Sequence, residues 1–152
     1  MQERNDRVTV FLCVELVKIL RLLDSGIETM RKKVTFDYYN NDPLVVVTLI
    51  NPISKKKEKV CAYLDTGSDA VVISKDIWLK LELDMDLITN VSVVGSTVTT
   101  CYTFIDLEFL KNKHKDVEVY YNEVPGDVLI GRNILDKYSI TFDGRNSKLH
   151  IE

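Results

Sequence analysis

The sequence is short of several things, and each shortage closes off a class of function. Its three cysteines, Cys13, Cys61 and Cys101, are odd in number and far apart, and no CxxC spacing occurs. That pattern supports neither a zinc site nor a disulfide framework; the expectation is reduced, mostly buried thiols in a cytoplasmic protein. There are two histidines, His114 in a lysine-rich turn and His150 close to the last residue, and both read as solvated. No Ser/His/Asp set, nucleophilic Cys/His pair or phosphate-cradling glycine loop is present. The formal net charge is only −3, with both signs scattered along the chain, so nothing points to nucleic acid or to an anionic membrane. Nor is there a long uncharged apolar run. Residues 8–23 (VTVFLCVELVKILRLL) are strongly apolar, but Glu15, Lys18 and Arg21 interrupt them. The run is too short and too charged for a membrane span, and it lacks the basic start and small-residue cleavage site of a secretory signal. Internal repeats and low-complexity segments are missing too.

What remains is a chain of 152 residues with an ordinary apolar and charged content, enough for one domain with a real core. Residues 8–24 read as a helix with a polar stripe at Glu15, Lys18 and Arg21 and with Gly26 as its stop. Such a helix packs on the domain or on a partner chain; the sharper reading is a dimerisation or membrane-surface helix. Met30-Arg31-Lys32-Lys33 has the look of a chain start, so residues 1–30 are taken as an amphipathic extension and residues 31–152 as the working domain.

From Val34 the periodicity turns to short β segments. Strands are expected over 34–39, 44–50, 60–64, 71–73, 103–110, 117–121 and 128–130, and a terminal hairpin over 139–142 and 148–151. Residues 51–59, with Pro52 and three consecutive lysines, read as an exposed loop, and residues 111–115 as a polar turn. Ser74 is expected to cap a helix over 75–83 with Ile77, Trp78 and Leu81 buried, and a second short helix is expected over 132–138. Trp78 reads as core rather than as a ligand platform. Residues 91–94 and 97–104 flank Gly95 and Ser96 as a β-hairpin. Helices and strands do not alternate in the way a parallel βαβ sheet requires, so the expected fold is all-β with two short helices.

The chemistry concentrates in Leu64-Asp65-Thr66-Gly67-Ser68. An apolar strand delivers one carboxylate into a turn. Gly67 can take backbone angles closed to other residues, and the hydroxyls of Thr66 and Ser68 can tie the turn down. Asp65 is then either a catalytic carboxylate or a structural turn residue that caps its own backbone. Amide hydrolysis by carboxylates needs two of them sharing a proton, because like charges a few ångströms apart cannot both ionise easily. The chain holds a single Asp-Thr-Gly, and Asp127, Asp136 and Asp143 lack the flanking hydroxyl and glycine. One domain therefore supplies half a site. The simplest completion is a two-fold homodimer that brings Asp65 to Asp65.

About sixty residues further on comes Asp127-Val128-Leu129-Ile130-Gly131-Arg132-Asn133-Ile134-Leu135. Together with the Asp-Thr-Gly-Ser loop and the hairpin between them, this resembles the retropepsin-like (retroviral-type) aspartic peptidases over residues 34–152. The resemblance implies an acid-protease barrel and an aspartic endopeptidase that works as a homodimer on extended peptides, with neither metal nor cofactor. It implies Asp65 as the catalytic residue, Thr66 hydrogen-bonding across the two-fold axis, and Gly67 against the substrate backbone with Ser68 beside it. Asp69 and Arg132 match a structural ion pair, where two parallel bonds are the favourable geometry. Leu129, Ile130 and Gly131 would pack under the loop, and Val94, Gly95, Ser96 and Thr97 would form the tip of a flap that closes over peptide. Against the retroviral pattern the helix over 75–83 is longer, the flap holds one glycine, and the chain runs on past its last helix into a further strand. The competing function is a dimeric module of this fold that grips peptide without cleaving it.

Overall fold

The structure is a computed structural model that describes residues 33–152. The expected N-terminal helix lies outside the described residues. Ten strands and two short helices follow in the order β1 (Val34–Asp37), β2 (Leu44–Ile50), β3 (Lys57–Leu64), β4 (Val71–Ser74), α1 (Lys75–Lys80), β5 (Leu87–Val93), β6 (Ser96–Phe109), β7 (Asn112–Asn122), β8 (Val128–Ile130), α2 (Arg132–Leu135), β9 (Ile140–Asp143) and β10 (Lys148–Ile151). The architecture is all-β with two short helices, as the periodicity predicts, and closes into the barrel that the resemblance implies.

The main sheet runs β2-β3-β8-β4-β7-β6-β5, and a further pairing of β2 with β6 closes its first six strands into a barrel. β5 stays outside the closure and pairs only with the distal part of β6. Most neighbours are antiparallel, but β3 with β8 and β4 with β7 are parallel. Alternation fixes the inside of the barrel. In β2 Val45, Val47 and Leu49 are buried, in β3 Val60, Ala62 and Leu64, and their neighbours are half-buried at most except Ile50 at the end of β2, which is buried too. The run Leu44–Ile50, apolar at all but one position, thus turns alternate residues to the core and leaves Leu44, Val46 and Thr48 half-buried on its other face.

A second sheet, β1-β10-β9, joins the two ends of the domain within one chain. Its inner face sets Leu149 between Phe36 and Phe142, and Ile151 between Val34 and Ile140. Leu149 and Ile151 are fully buried and belong to the same core as the barrel.

Several local expectations change. α1 ends at Lys80, not Leu83, because Leu81 caps it and Glu82 turns left-handed at φ 53°. Ser74 makes no side-chain cap to it; its hydroxyl faces Gly126 O at 3.5 Å. The turn expected over 111–115 shrinks to Leu110 and Lys111, both at positive φ, and Lys113 and Lys115 lie in β7. The turn over 51–59 is shorter too, since β3 starts at Lys57, and its first residue is not exposed. Asn51 is 5 % exposed and its amide donates to Leu81 O (2.9 Å) and Glu82 O (3.0 Å), while its Oδ1 accepts the N–H groups of Ile53 and Ser54. One side chain thus satisfies the end of α1 and shapes the β2–β3 turn. Neither described cysteine is fully buried; Cys61 and Cys101 are half-buried.

His114 is not solvated. It lies half-buried with Nε2 2.7 Å from the Tyr138 hydroxyl, which in turn stacks edge-on against Phe109. Burial, and secondarily the charge of Lys137, holds its pKa below the ordinary 6.5. The unfolded chain therefore takes up this proton more readily than the folded one. The resulting stabilisation is complete above pH 6.5 and is lost as pH falls through the lower folded value. Urea midpoints should accordingly drop between pH 7.5 and 5 by more in the wild type than in His114→Gln. Asn51→Ala should lower the unfolding free energy by about 2 kcal/mol at either pH, because it strands buried backbone groups.

Candidate active site

The loop after β3 is held at each end by main-chain bonds. β3 lies parallel to β8 with Leu64 beside Ile130, and the ladder carries on one step as Asp65 N–H donates to Ile130 O (3.0 Å). The chain then turns. Ser68 N–H donates to Asp65 O (3.2 Å), and Gly67 N–H donates to the Asp65 carboxylate at Oδ1 (2.9 Å). The Ser68 hydroxyl donates to Ala70 O (2.7 Å). Asp65 is half-buried, while Thr66 and Gly67 are exposed.

Gly67 does not use the left-handed region expected of it; among the described glycines only Gly95 and Gly126 do. What it supplies is room, since a Cβ there would stand 3.2 Å from the Asp65 Oδ1 that its own N–H binds. Gly131 is the tighter case. A Cβ on it would meet Ala70 O at 2.2 Å, and without one the start of α2 lies directly on the loop. α2 has no side-chain cap. Instead Arg132 N–H donates to Ser68 O (2.9 Å) and Asn133 N–H to Asp69 O (3.0 Å), so the loop's carbonyls satisfy the first turn of the helix.

The remaining predicted residues fall around this unit. Leu129 and Ile130 are in β8, next to Tyr63 and Leu64, and Leu129 also pairs with Val72 of β4. The Arg132 guanidinium meets the Asp69 carboxylate through Nη2 and Oδ1, one contact rather than two parallel bonds. Both partners are mostly exposed, and the hydrogen bond to Asp69, then its charge, raises the Arg132 pKa. The residues expected to form a flap lie elsewhere, at the end of the β5–β6 hairpin. Val94 and Gly95 (φ 81°) form its two-residue tip, with Val93 opposite Ser96 and Ser92 opposite Thr97. Val94 is fully exposed. Thr100 Oγ1 anchors the base of the hairpin by donating to Tyr121 O of β7 (2.6 Å).

Three features of the site escaped the sequence reading. Asn133 ties the loop to β7, donating Nδ2 to Glu118 O (2.9 Å) while its N–H holds Asp69. Tyr120 lies where Glu118 accepts its hydroxyl; that bond, burial and nearby charges, Asp69 among them, push its pKa up to about 12. Tyr63 donates its hydroxyl to Asp42 Oδ2 (3.3 Å). For Tyr63 a signal was available: it precedes Asp65 by two, which on a strand means the same face.

Gly131→Ala should cost about 3 kcal/mol or more in chemical unfolding, since backbone rather than a yielding side chain stands in the way. Arg132→Gln, which removes only an exposed ion pair, should cost under about 1 kcal/mol in the same measurement.

The family model for the retroviral aspartyl protease matches residues 40–142, which hold the Asp65 loop, the β5–β6 hairpin, β8 and α2. Among solved structures, a retropepsin-like aspartic protease from Rickettsia conorii is similar, with a TM-score of 0.58 and 14 % identity over 83 % of this chain and 94 % of that one. The EIAV protease in complex with an inhibitor is similar at a TM-score of 0.51 and 19 % identity, over 74 % of this chain and 93 % of that one. No curated protein matches the sequence. No helix among the described residues is long and apolar enough to cross a membrane. The strand order, the loop and the family match agree: the chain belongs to the retroviral aspartyl protease family and has its retropepsin-like fold.

Proposed function

We propose that the protein is an aspartic endopeptidase whose active site is formed by two copies of the chain, each contributing Asp65. The observation that carries this reading is the fixed orientation of the Asp65 carboxylate, bound by Gly67 N–H inside a loop anchored to β8 and α2. A turn aspartate with a purely structural role would account for the Gly67 bond. It would not account for a carboxylate set among family-matched elements with an exposed Thr66 beside it.

In the dimer the two Asp65 carboxyls share one proton. The ionised member takes a proton from water, and the water oxygen bonds to the peptide carbonyl carbon. The protonated member donates to the carbonyl oxygen. Collapse of the tetrahedral diol breaks the C–N bond, with a proton passing to the leaving amine. Thr66 is assigned to the contact across the axis and Gly67 to the substrate backbone, with Ser68 supporting the loop. The Asp69–Arg132 pair is assigned to keeping the loop's outer side in register with α2. Val94, Gly95, Ser96 and Thr97 are assigned to closing over the bound peptide and excluding water. The substrate is an extended peptide held by main-chain bonds.

Incubation of the full chain with a peptide library should give cleavage that Asp65→Asn reduces to background, and sedimentation should detect a dimer under the same conditions. Equal cleavage by both proteins, or a strictly monomeric active species, removes the shared-dyad mechanism. Peptide binding without cleavage by the wild type at any pH from mildly acidic to neutral would leave the binding-module reading.

A further inference from the structure

We propose that the face of the barrel carrying Asp65 also holds a subsite for a basic side chain, in which Asp42 and Asp127, each two residues before a leucine that pairs with Tyr63, are specificity-determining residues. The substrates would be peptides with lysine or arginine within two residues of the scissile bond. This rests on the peptidase reading of Asp65 and adds the substrate class.

The placement follows from strand alternation. Ala62 and Leu64 of β3 point into the core, so Tyr63 points away from it. Asp65 is still bonded to β8 through Ile130 O, so its side chain falls on the Tyr63 face, about 7 Å further along the strand. Leu44 of β2 and Leu129 of β8 stand directly opposite Tyr63 on its two sides, and all three are half-buried. They make an apolar floor next to the carboxylate. Asp42 and Asp127 each come two residues before one of those leucines, on the approach to the same face.

The Asp42 carboxylate is directed at the tyrosine, and Asp127 lies near enough for its charge to act on it. Asp42 accepts its hydroxyl at 3.3 Å. Burial, then the charges of Asp42 and Asp127, raise the Tyr63 pKa, as expected of a phenol with anions near it. Among the described residues the acidic partners of lysine and arginine are Asp37, Asp69, Glu82, Asp106 and Glu123; no cation pairs with Asp42 or Asp127. Asp42 is half-buried and Asp127 exposed, so the pair spans the edge of the floor.

Two anions beside an apolar surface fit a ligand that is apolar along its stem and cationic at its tip. The methylenes of lysine or arginine would lie on Leu129 and the Tyr63 ring, with the charged head at the carboxylates. An extended peptide presents side chains to one side every second residue, again about 7 Å apart, which matches the spacing from Tyr63 to Asp65. A glutamate in that place would meet two like charges.

The test uses the full chain and matched peptides that differ only in carrying Lys, Leu or Glu beside the scissile bond. Wild type should show kcat/KM in the order Lys over Leu over Glu, with roughly tenfold between the first two. The ratio of Lys to Leu should fall to about one in Asp42→Asn/Asp127→Asn. If that variant does not fold, Asp127→Lys at an exposed position should instead turn the order toward Glu. The same peptides, fluorescently labelled, are titrated against Asp65→Asn by anisotropy, which needs no turnover. Lys preference in binding with no wild-type cleavage would sustain the subsite and sink the peptidase. Cleavage with equal rates and affinities for Lys and Leu would overturn the subsite and leave the peptidase standing, as would a Lys preference unchanged by the Asp42 and Asp127 substitutions.

Discussion

The start of α2 and the loop carrying Asp65 approach so closely that the main chain of Ala70 occupies the place of any side chain at position 131. Much of the site depends on that approach. It lets Arg132 and Asn133 put their N–H groups on the loop's carbonyls, so that helix and loop cap each other without a capping side chain. It also brings β8 alongside β3, whose ladder sets the direction in which Asp65 leaves the strand. The exposed Asp69–Arg132 pair sits on top of this main-chain lock and contributes geometry more than free energy.

The second organising constraint is the period of two in β2, β3 and β8. It makes one face of each strand core and leaves the other half-covered. Because Asp65 follows β3 in phase with Tyr63, its carboxylate and the half-covered face belong to the same side of the sheet. The barrel interior therefore carries stability, and the proposed chemistry is confined to this outer face. The β5–β6 hairpin is separated in a different way: β5 lies beyond the closure of the barrel, so its movement would break pairing with only one strand.

Strands and the loop were legible in the sequence because both are written locally. β-branched runs mark β2, β4 and β8, an apolar run marks the end of β3, and Asp-Thr-Gly-Ser with Ile-Gly-Arg-Asn marks the site. What the sequence did not disclose depends on contacts between distant segments. Asn51 looks like a turn residue until α1 ends above it with two carbonyls to satisfy. His114 sits among lysines in sequence, yet meets Tyr138 from beyond α2. The helix cap failed for a similar reason: Ser74 has the right type and place, but its hydroxyl faces Gly126, which comes from the segment before β8. Gly67 was recognised as necessary for the wrong reason, conformational freedom instead of clearance for Asp65.

The terminal sheet bears on how such a molecule assembles. β10 takes β1 on one edge and β9 on the other, all from one chain, and its inner side chains are already sealed into the barrel core. The middle strand is thus satisfied within the chain, while β1 and β9 each keep one unpaired edge among the described residues. The core is closed by residues of one chain, so a second copy that joined here would add strands at an edge without having to complete that core.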